Sequence, residues 1–170
     1  MTKAYLLGIL HDATERKTTF RISQKSEEFV KFIASGIRKL GSNAWIYREG
    51  KNREVYIVEF SKSLLNNFEI ESLSDKTEYI RGYFDAEGGI AKSSSVRYYL
   101  YFAQKNLSDL QRVKKYLEEL GINCGVIHNP SKKIDPNYWR FYIRAESYQR
   151  FARQIGAWHT NKSHFLRMKI

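Results

Sequence analysis

The chain has 170 residues, 42% of them hydrophobic, enough for one ordinary domain or two small, closely packed halves, which excludes a disordered tail. Its 29 Lys and Arg outweigh 18 Asp and Glu to give a net charge of +11, so a polyanionic partner is expected, nucleic acid first. The longest apolar runs fall well below the ~20 residues that span a bilayer, no secretory pattern opens the chain, and the single Cys124 excludes an intramolecular disulfide or a Cys-based zinc cluster, so an intracellular, cytoplasmic protein without membrane contact is expected.

The first predicted element is a short apolar helix over 4–12, with Gly8 at its middle. Glycine there costs roughly 1 kcal/mol of helix propensity relative to alanine, which points to close approach of another backbone. A strand follows, with Phe20 and Ile22 on one face and Thr19, Arg21 and Ser23 on the other. Next comes an amphipathic helix with Phe29, Ile33, Ile37 and Leu40 on one stripe, Ser26 as its expected cap and Gly41 as its terminator. A hairpin over 44–60 turning at 50–52, a short helix over 62–68 and a polar link complete this half.

The same order then recurs. A helix is predicted over 78–87 with Gly82 inside it, then a strand with Tyr98, Leu100 and Phe102 on one face and Arg97, Tyr99 and Tyr101 on the other. Leu110, Val113, Leu117 and Leu120 form the stripe of a second amphipathic helix, with Ser108 as its expected cap and Gly121 as its terminator. A hairpin over 123–145 makes an excursion through Pro130 and Pro136, and its last strand sets Trp139, Phe141 and Ile143 against Arg140, Tyr142 and Arg144; a helix over 147–155 follows. Gln24-Lys25 with Leu40-Gly41 reappears as Gln104-Lys105 with Leu120-Gly121 at one constant offset, so the chain is an internal repeat. The class is α+β, with helices on one face of antiparallel sheets.

The segments Leu6-Leu7-Gly8-Ile9-Leu10-His11-Asp12-Ala13 and Ile80-Arg81-Gly82-Tyr83-Phe84-Asp85-Ala86-Glu87-Gly88 resemble the paired motif of LAGLIDADG homing endonucleases, in particular the single-chain, two-repeat members encoded by archaeal introns. In the first copy the acid comes one position early, and Ala13 stands where the second acid of the pattern falls. The resemblance implies two pseudo-symmetric αββαββα halves, 1–66 and 78–170 joined by a link over 67–77, with the motif helices packed centrally and the sheets forming a DNA-binding saddle. It implies Asp12 and Glu87 as metal-holding catalytic carboxylates, Gln24 and Gln104 as water-ordering groups, and Lys25 and Lys105 as groups that offset transition-state charge. Mg²⁺ is the expected ion, with Mn²⁺ as substitute, because hard carboxylate and phosphate oxygens suit it.

Arg21, Ser23, Arg97, Tyr99, Tyr101, Arg140, Tyr142 and Arg144, on the polar strand faces, are the expected DNA contacts. The implied activity is cleavage of both strands of a long asymmetric DNA site by a monomer, leaving short 3′ overhangs. The same basic surface leaves two other readings open: a DNA-binding relative that has lost catalysis, and a maturase acting on intron RNA. Asp85, at the motif's first acidic position, is assigned to capping or local hydrogen bonds. Cys124, His128, His159 and His164 match no strong zinc spacing, and phosphate-cradling glycine loops and a GxSxG elbow are absent from the sequence.

Overall fold

The computed structural model describes residues 1–50, 53–91 and 95–167. The first half contains α1 (Lys3–Ile9), a 3-10 turn over Leu10–Asp12, β1 (Ala13–Glu15), β2 (Thr19–Gln24), α2 (Glu27–Lys39), β3 (Ala44–Arg48), β4 (Tyr56–Ser61) and a 3-10 turn over Lys62–Leu65. The second contains α3 (Leu73–Glu87), β5 (Gly88–Ile90), β6 (Leu100–Gln104), α4 (Leu107–Glu119), β7 (Trp139–Tyr142), a 3-10 turn over Ala145–Ser147, α5 (Tyr148–Gln154) and α6 (Thr160–Arg167). The fold is α+β, with antiparallel sheets of order β1-β2-β4-β3 and β5-β6-β7.

Helix boundaries follow from local chemistry. Ser26 accepts a hydrogen bond from the Phe29 N–H at the start of α2, and Glu27 and Glu28 occupy the first turn, where negative charge complements the helix dipole. Gly41 and Gly121 take positive φ just past α2 and α4, a conformation glycine adopts without Cβ strain. The cap of α4 is Asn106 and not Ser108: its side chain accepts from the Ser108 and Asp109 N–H groups, leaving Ser108 inside the first turn. Helix α3 begins earlier than its apolar pattern predicts, inside the stretch read as a link, because Ser72 and Asp75 form a reciprocal capping box.

Several further expectations change. The helix expected over 62–68 is only a 3-10 turn, α6 lies beyond the last predicted element, and β1 and β5 add a short strand to each sheet. The first arm of the 123–145 hairpin pairs only through isolated bridges, Cys124 to Ile143 and His128 to Arg140. Between the bridges three residues, 125–127, face two, 141–142, a bulge that interrupts the ladder, and the Pro130 and Pro136 excursion lies beyond the outer bridge. The turn expected at 50–52 extends outside the described residues beyond Gly50.

A hydrophobic core lies under each sheet. In the first, Phe20 pairs with Phe60 and Ile22 with Val58 on the inner face, against Phe29, Ile33 and Ile37 of α2. In the second, Leu100, Phe102 and Phe141 pack on Leu110, Val113 and Leu117 of α4, with Phe151 of α5. The cores meet along α1 and α3: Ala4 of α1 belongs to the second core and Ala86 of α3 packs against the first. A Cβ on Gly8 would strike the Tyr79 carbonyl and lie 2.6 Å from the Tyr83 nitrogen, and one on Gly82 would strike the Tyr5 carbonyl and lie 3.0 Å from the Ile9 nitrogen. The two glycines are what let the motif helices touch backbone to backbone.

Candidate active site

The close contact of α1 and α3 brings their C-terminal ends together, and each end carries an acid. Asp12 closes the 3-10 turn after α1, and Glu87 is the last residue of α3. Asp12 lines a cleft of about 400 Å³ with Gln24 and Lys25; Glu87 lines a second cleft of about 440 Å³ with Gln104 and Lys105. An acid, a glutamine and a lysine from equivalent places in the two repeats thus line each cleft, the Asp12 cleft adding Asp85, Asn161 and Lys162, and Tyr101 borders both. Gln24 Nε2 donates to Asp12 Oδ2 at 3.2 Å. The Gln104 side chain bonds Glu87 and accepts from the Lys105 N–H at 2.7 Å. The Lys105 ammonium is largely exposed and lies 3.5 Å from Asp135.

The two carboxylates share one electrostatic environment. Burial holds Glu87 above the usual glutamate range, and the negative charge of Asp12 pushes it further, with Lys162 and Gln104 opposing. Burial likewise raises Asp12 against the pull of Lys162 and Gln24. A cation would relieve both the desolvation and the mutual repulsion, so the donor set fits a hard divalent ion. Among the described residues no group of three or more His, Cys, Asp or Glu side chains gathers, so such an ion would take its remaining ligands from water and phosphate oxygens.

Asp85 makes contacts that are not local. It is buried and accepts from the Tyr5 hydroxyl at 2.8 Å and from the Trp158 and His159 N–H groups at 3.0 and 3.2 Å, tying α1, α3 and the C-terminal segment together. Sequence reasoning also passed over Lys162, whose Nζ donates to the Phe84 and Asp85 carbonyls at 2.6 and 2.8 Å. Lys162 lies in a polar segment with no counterpart in the first repeat, so neither periodicity nor repetition marks it.

The expected DNA-contacting side chains fall into two groups. Arg97 and Arg144, expected on strands, lie just outside the second sheet, before β6 and after β7, where they are exposed and border one groove with Tyr99 and Tyr142. Arg140 is instead held inside the surface: its guanidinium lies 4.4 Å from the Tyr101 ring centroid and donates to the hydroxyls of Tyr138 and Tyr142. In the first sheet Arg21 is paired with Glu49 and lies over the Tyr47 ring, and Ser23 is half-buried on the same face. The neighbouring Glu59 accepts from Thr19 and Tyr47, which keeps it below the usual glutamate range. The first sheet therefore presents a mixed acidic and aromatic face, including the exposed Trp45, and the second an arginine and tyrosine face.

A family model described as a LAGLIDADG-like domain matches residues 74–156. That stretch is similar to this family. Over 94% of the chain and 82% of its relative's length, the sequence is 28% identical to homing endonuclease I-ApeI of Aeropyrum pernix. The structure of I-DmoI in complex with DNA and Mn superposes with a TM-score of 0.66 at 22% identity, covering 91% of this chain and 95% of that one. The N-terminal LAGLIDADG domain of DUF199/WhiA superposes with a TM-score of 0.69 at 17% identity, covering 91% and 80%. The fold is thus that of the LAGLIDADG homing endonucleases, with Asp12 closing the turn after α1 and Glu87 ending α3. No helix among the described residues is long and apolar enough to cross a membrane.

Proposed function

We propose that this chain is a homing endonuclease, a monomer with internal pseudo-symmetry whose halves, 1–66 and 78–170, lie along one asymmetric duplex DNA site and cut both strands to leave short 3′ overhangs. The observation that carries this reading is the repetition of acid, glutamine and lysine in adjoining clefts on either side of the paired helices. The relatives support it: I-ApeI is a homing endonuclease, and I-DmoI has been crystallised with DNA and Mn.

Asp12 and Glu87 would hold divalent ions, with Mg²⁺ expected and Mn²⁺ as substitute; a bound ion supplies an activated water and stabilises charge on phosphorus and the leaving oxygen. Gln24 holds the Asp12 carboxylate by its amide N–H, leaving the other carboxylate oxygen for a ligand, and would help orient the attacking water. Gln104 serves Glu87 in the same way. Lys25 and Lys105 would bring positive charge to the scissile phosphates, where a fixed donor is typically worth ~10² to 10³ in rate.

The early acid of the first motif favours the reading of a relative without catalysis only if it leaves Asp12 away from the cleft. The 3-10 turn over Leu10–Asp12 brings it in, beside Gln24. Incubating the protein with Mg²⁺ and a library of intron-insertion sites tests the proposal. Double-strand breaks at one site are expected; tight binding with intact DNA at every site would select the non-cleaving reading.

A further inference from the structure

The C-terminal segment reaches the centre of the molecule by a defined route. After Gly156, which turns the chain with a positive φ, the Trp158 ring packs 4.4 Å from Tyr5 and 4.9 Å from the Arg81 guanidinium, and the Trp158 and His159 N–H groups donate to Asp85. Helix α6 starts there and delivers Lys162 onto the carbonyl end of α3. Its ammonium meets the carbonyls of Phe84, Asp85 and Ala86 at 2.6, 2.8 and 3.4 Å. These are three of the last residues of the helix that ends in Glu87, where the Phe84 carbonyl also accepts from the Gly88 N–H and the helix dipole favours a cation. Lys162 also lines the Asp12 cleft.

The ammonium therefore lies where α3 and the turn after α1 end, and it acts electrostatically on both acids, Asp12 and Glu87. Directed at three carbonyls, it is anchored as a fixed charge.

We infer that Lys162 is a positioning residue for the proposed cleavage reaction, the resident counter-charge of the Asp12–Glu87 pair, which orders the end of α3 and weakens divalent-cation binding while no DNA is present. The inference rests on reading those two carboxylates as cation ligands. A lysine in this place keeps two repelling acids together without a metal, and it leaves the site short of the negative charge that an incoming DNA phosphate supplies.

The test is Mn²⁺ binding to the full chain without DNA, followed by water-proton relaxation. Lys162→Gln retains an N–H donor for the carbonyls and removes the charge. It is expected to bind Mn²⁺ about 10-fold more tightly than wild type, because one fixed charge near a divalent ion in a half-buried site has an effect of at least that order. Lys162→Arg is expected to stay within about twofold of wild type, a charge rescue that a purely structural role would not produce. Adding Asp12→Asn or Glu87→Gln to Lys162→Gln should abolish the gain. Equal or weaker Mn²⁺ binding by folded Lys162→Gln overturns the inference. If the neutral variant does not fold, a greater than twofold change in Lys162→Arg overturns it. Variants that bind Mn²⁺ as expected while no form cuts DNA would sink the nuclease reading alone; Mn²⁺ binding by wild type that ignores Asp12→Asn and Glu87→Gln would remove the cation centre and the counter-charge together.

Discussion

Asp12 and Glu87 come from opposite halves of the chain, yet each feels the same Lys162 charge, and Asp12 adds to the load on Glu87. Neither carboxylate holds a core together, so Asp12→Asn and Glu87→Gln are expected to fold normally, bind duplex DNA at least as tightly as wild type, and lose more than about 10²-fold in single-turnover cleavage. Paired filter-binding and cleavage assays check this; wild-type cutting by either variant would move the centre elsewhere. His11, immediately before Asp12, titrates differently. Its ring is packed against Tyr83 and lies 2.7 Å from the Tyr79 hydroxyl. Burial, with a smaller push from Arg112, lowers it from 6.5 to about 4, against the opposing pull of Asp109. A histidine lowered in the folded state is neutral there and takes up a proton first in the unfolded chain. Its contribution is complete above pH 6.5 and is lost as the pH falls toward 4, by roughly 3 kcal/mol in all. The raised carboxylates Asp12, Asp85 and Glu87 act in the opposite sense, so the measurement is a difference: urea unfolding of wild type minus His11→Asn should shrink steadily from pH 6.5 to 4.

Between elements, the decisive contact is the crossing of α1 and α3. Gly→Ala in an ordinary helix stabilises by up to roughly 1 kcal/mol through propensity. At Gly8 and Gly82 the new methyl would meet backbone atoms, which no rotamer change relieves. Overpacking of that kind costs ~1–3 kcal/mol and at times more, so the clash outweighs the propensity gain. Gly8→Ala and Gly82→Ala are each expected to lower unfolding free energy by about 1 kcal/mol or more, measured by equilibrium denaturation; a stabilised variant would mean the helices do not touch there. This crossing was legible in the sequence because a glycine inside an apolar helical stripe has few other uses, and the constant spacing of Gln24-Lys25 and Gln104-Lys105 showed which strand ends lie at equivalent places. Other elements were not legible. The strands β1 and β5 are three residues each, too short for alternation to register. Ser108 was read as a cap because Ser and Asn satisfy the same N–H groups, and Asn106 reaches them first. Helix α6 has a single buried hydrophobic residue, Leu166, and is held by polar contacts that no periodicity announces.

Across the whole molecule, the net charge of +11 would set the scale of affinity for the proposed DNA target but not its distribution. The sequence assigned every strand arginine to one class of DNA contact, whereas the structure divides them. Arg140 is enclosed by Tyr101, Tyr138 and Tyr142, and Arg21 is neutralised by Glu49, while Arg97 and Arg144 face outward. That division was hidden because alternation reports which face a residue occupies and says nothing of a cross-strand partner on it. Counterion release follows exposed charge: each phosphate neutralised contributes about −0.9 to the slope of log K against log salt, and a protein making 6–10 such contacts loses ~10³ to 10⁵ in affinity between 50 and 200 mM salt. Wild-type binding to duplex DNA is expected within that range. If the groove they line meets DNA as proposed, Arg97→Ala and Arg144→Ala should each reduce the magnitude of the slope by about 1, since each removes one exposed charge from it. Arg140→Ala should leave the slope nearly unchanged, because its guanidinium is committed to the tyrosines, and should weaken binding by loosening the face on which Tyr101 and Tyr142 are displayed. Fluorescence anisotropy titrations at four or five salt concentrations separate the two behaviours. A full unit of slope lost with Arg140→Ala would show that its cage opens when DNA binds, and that the surface rearranges where the unbound structure holds it closed.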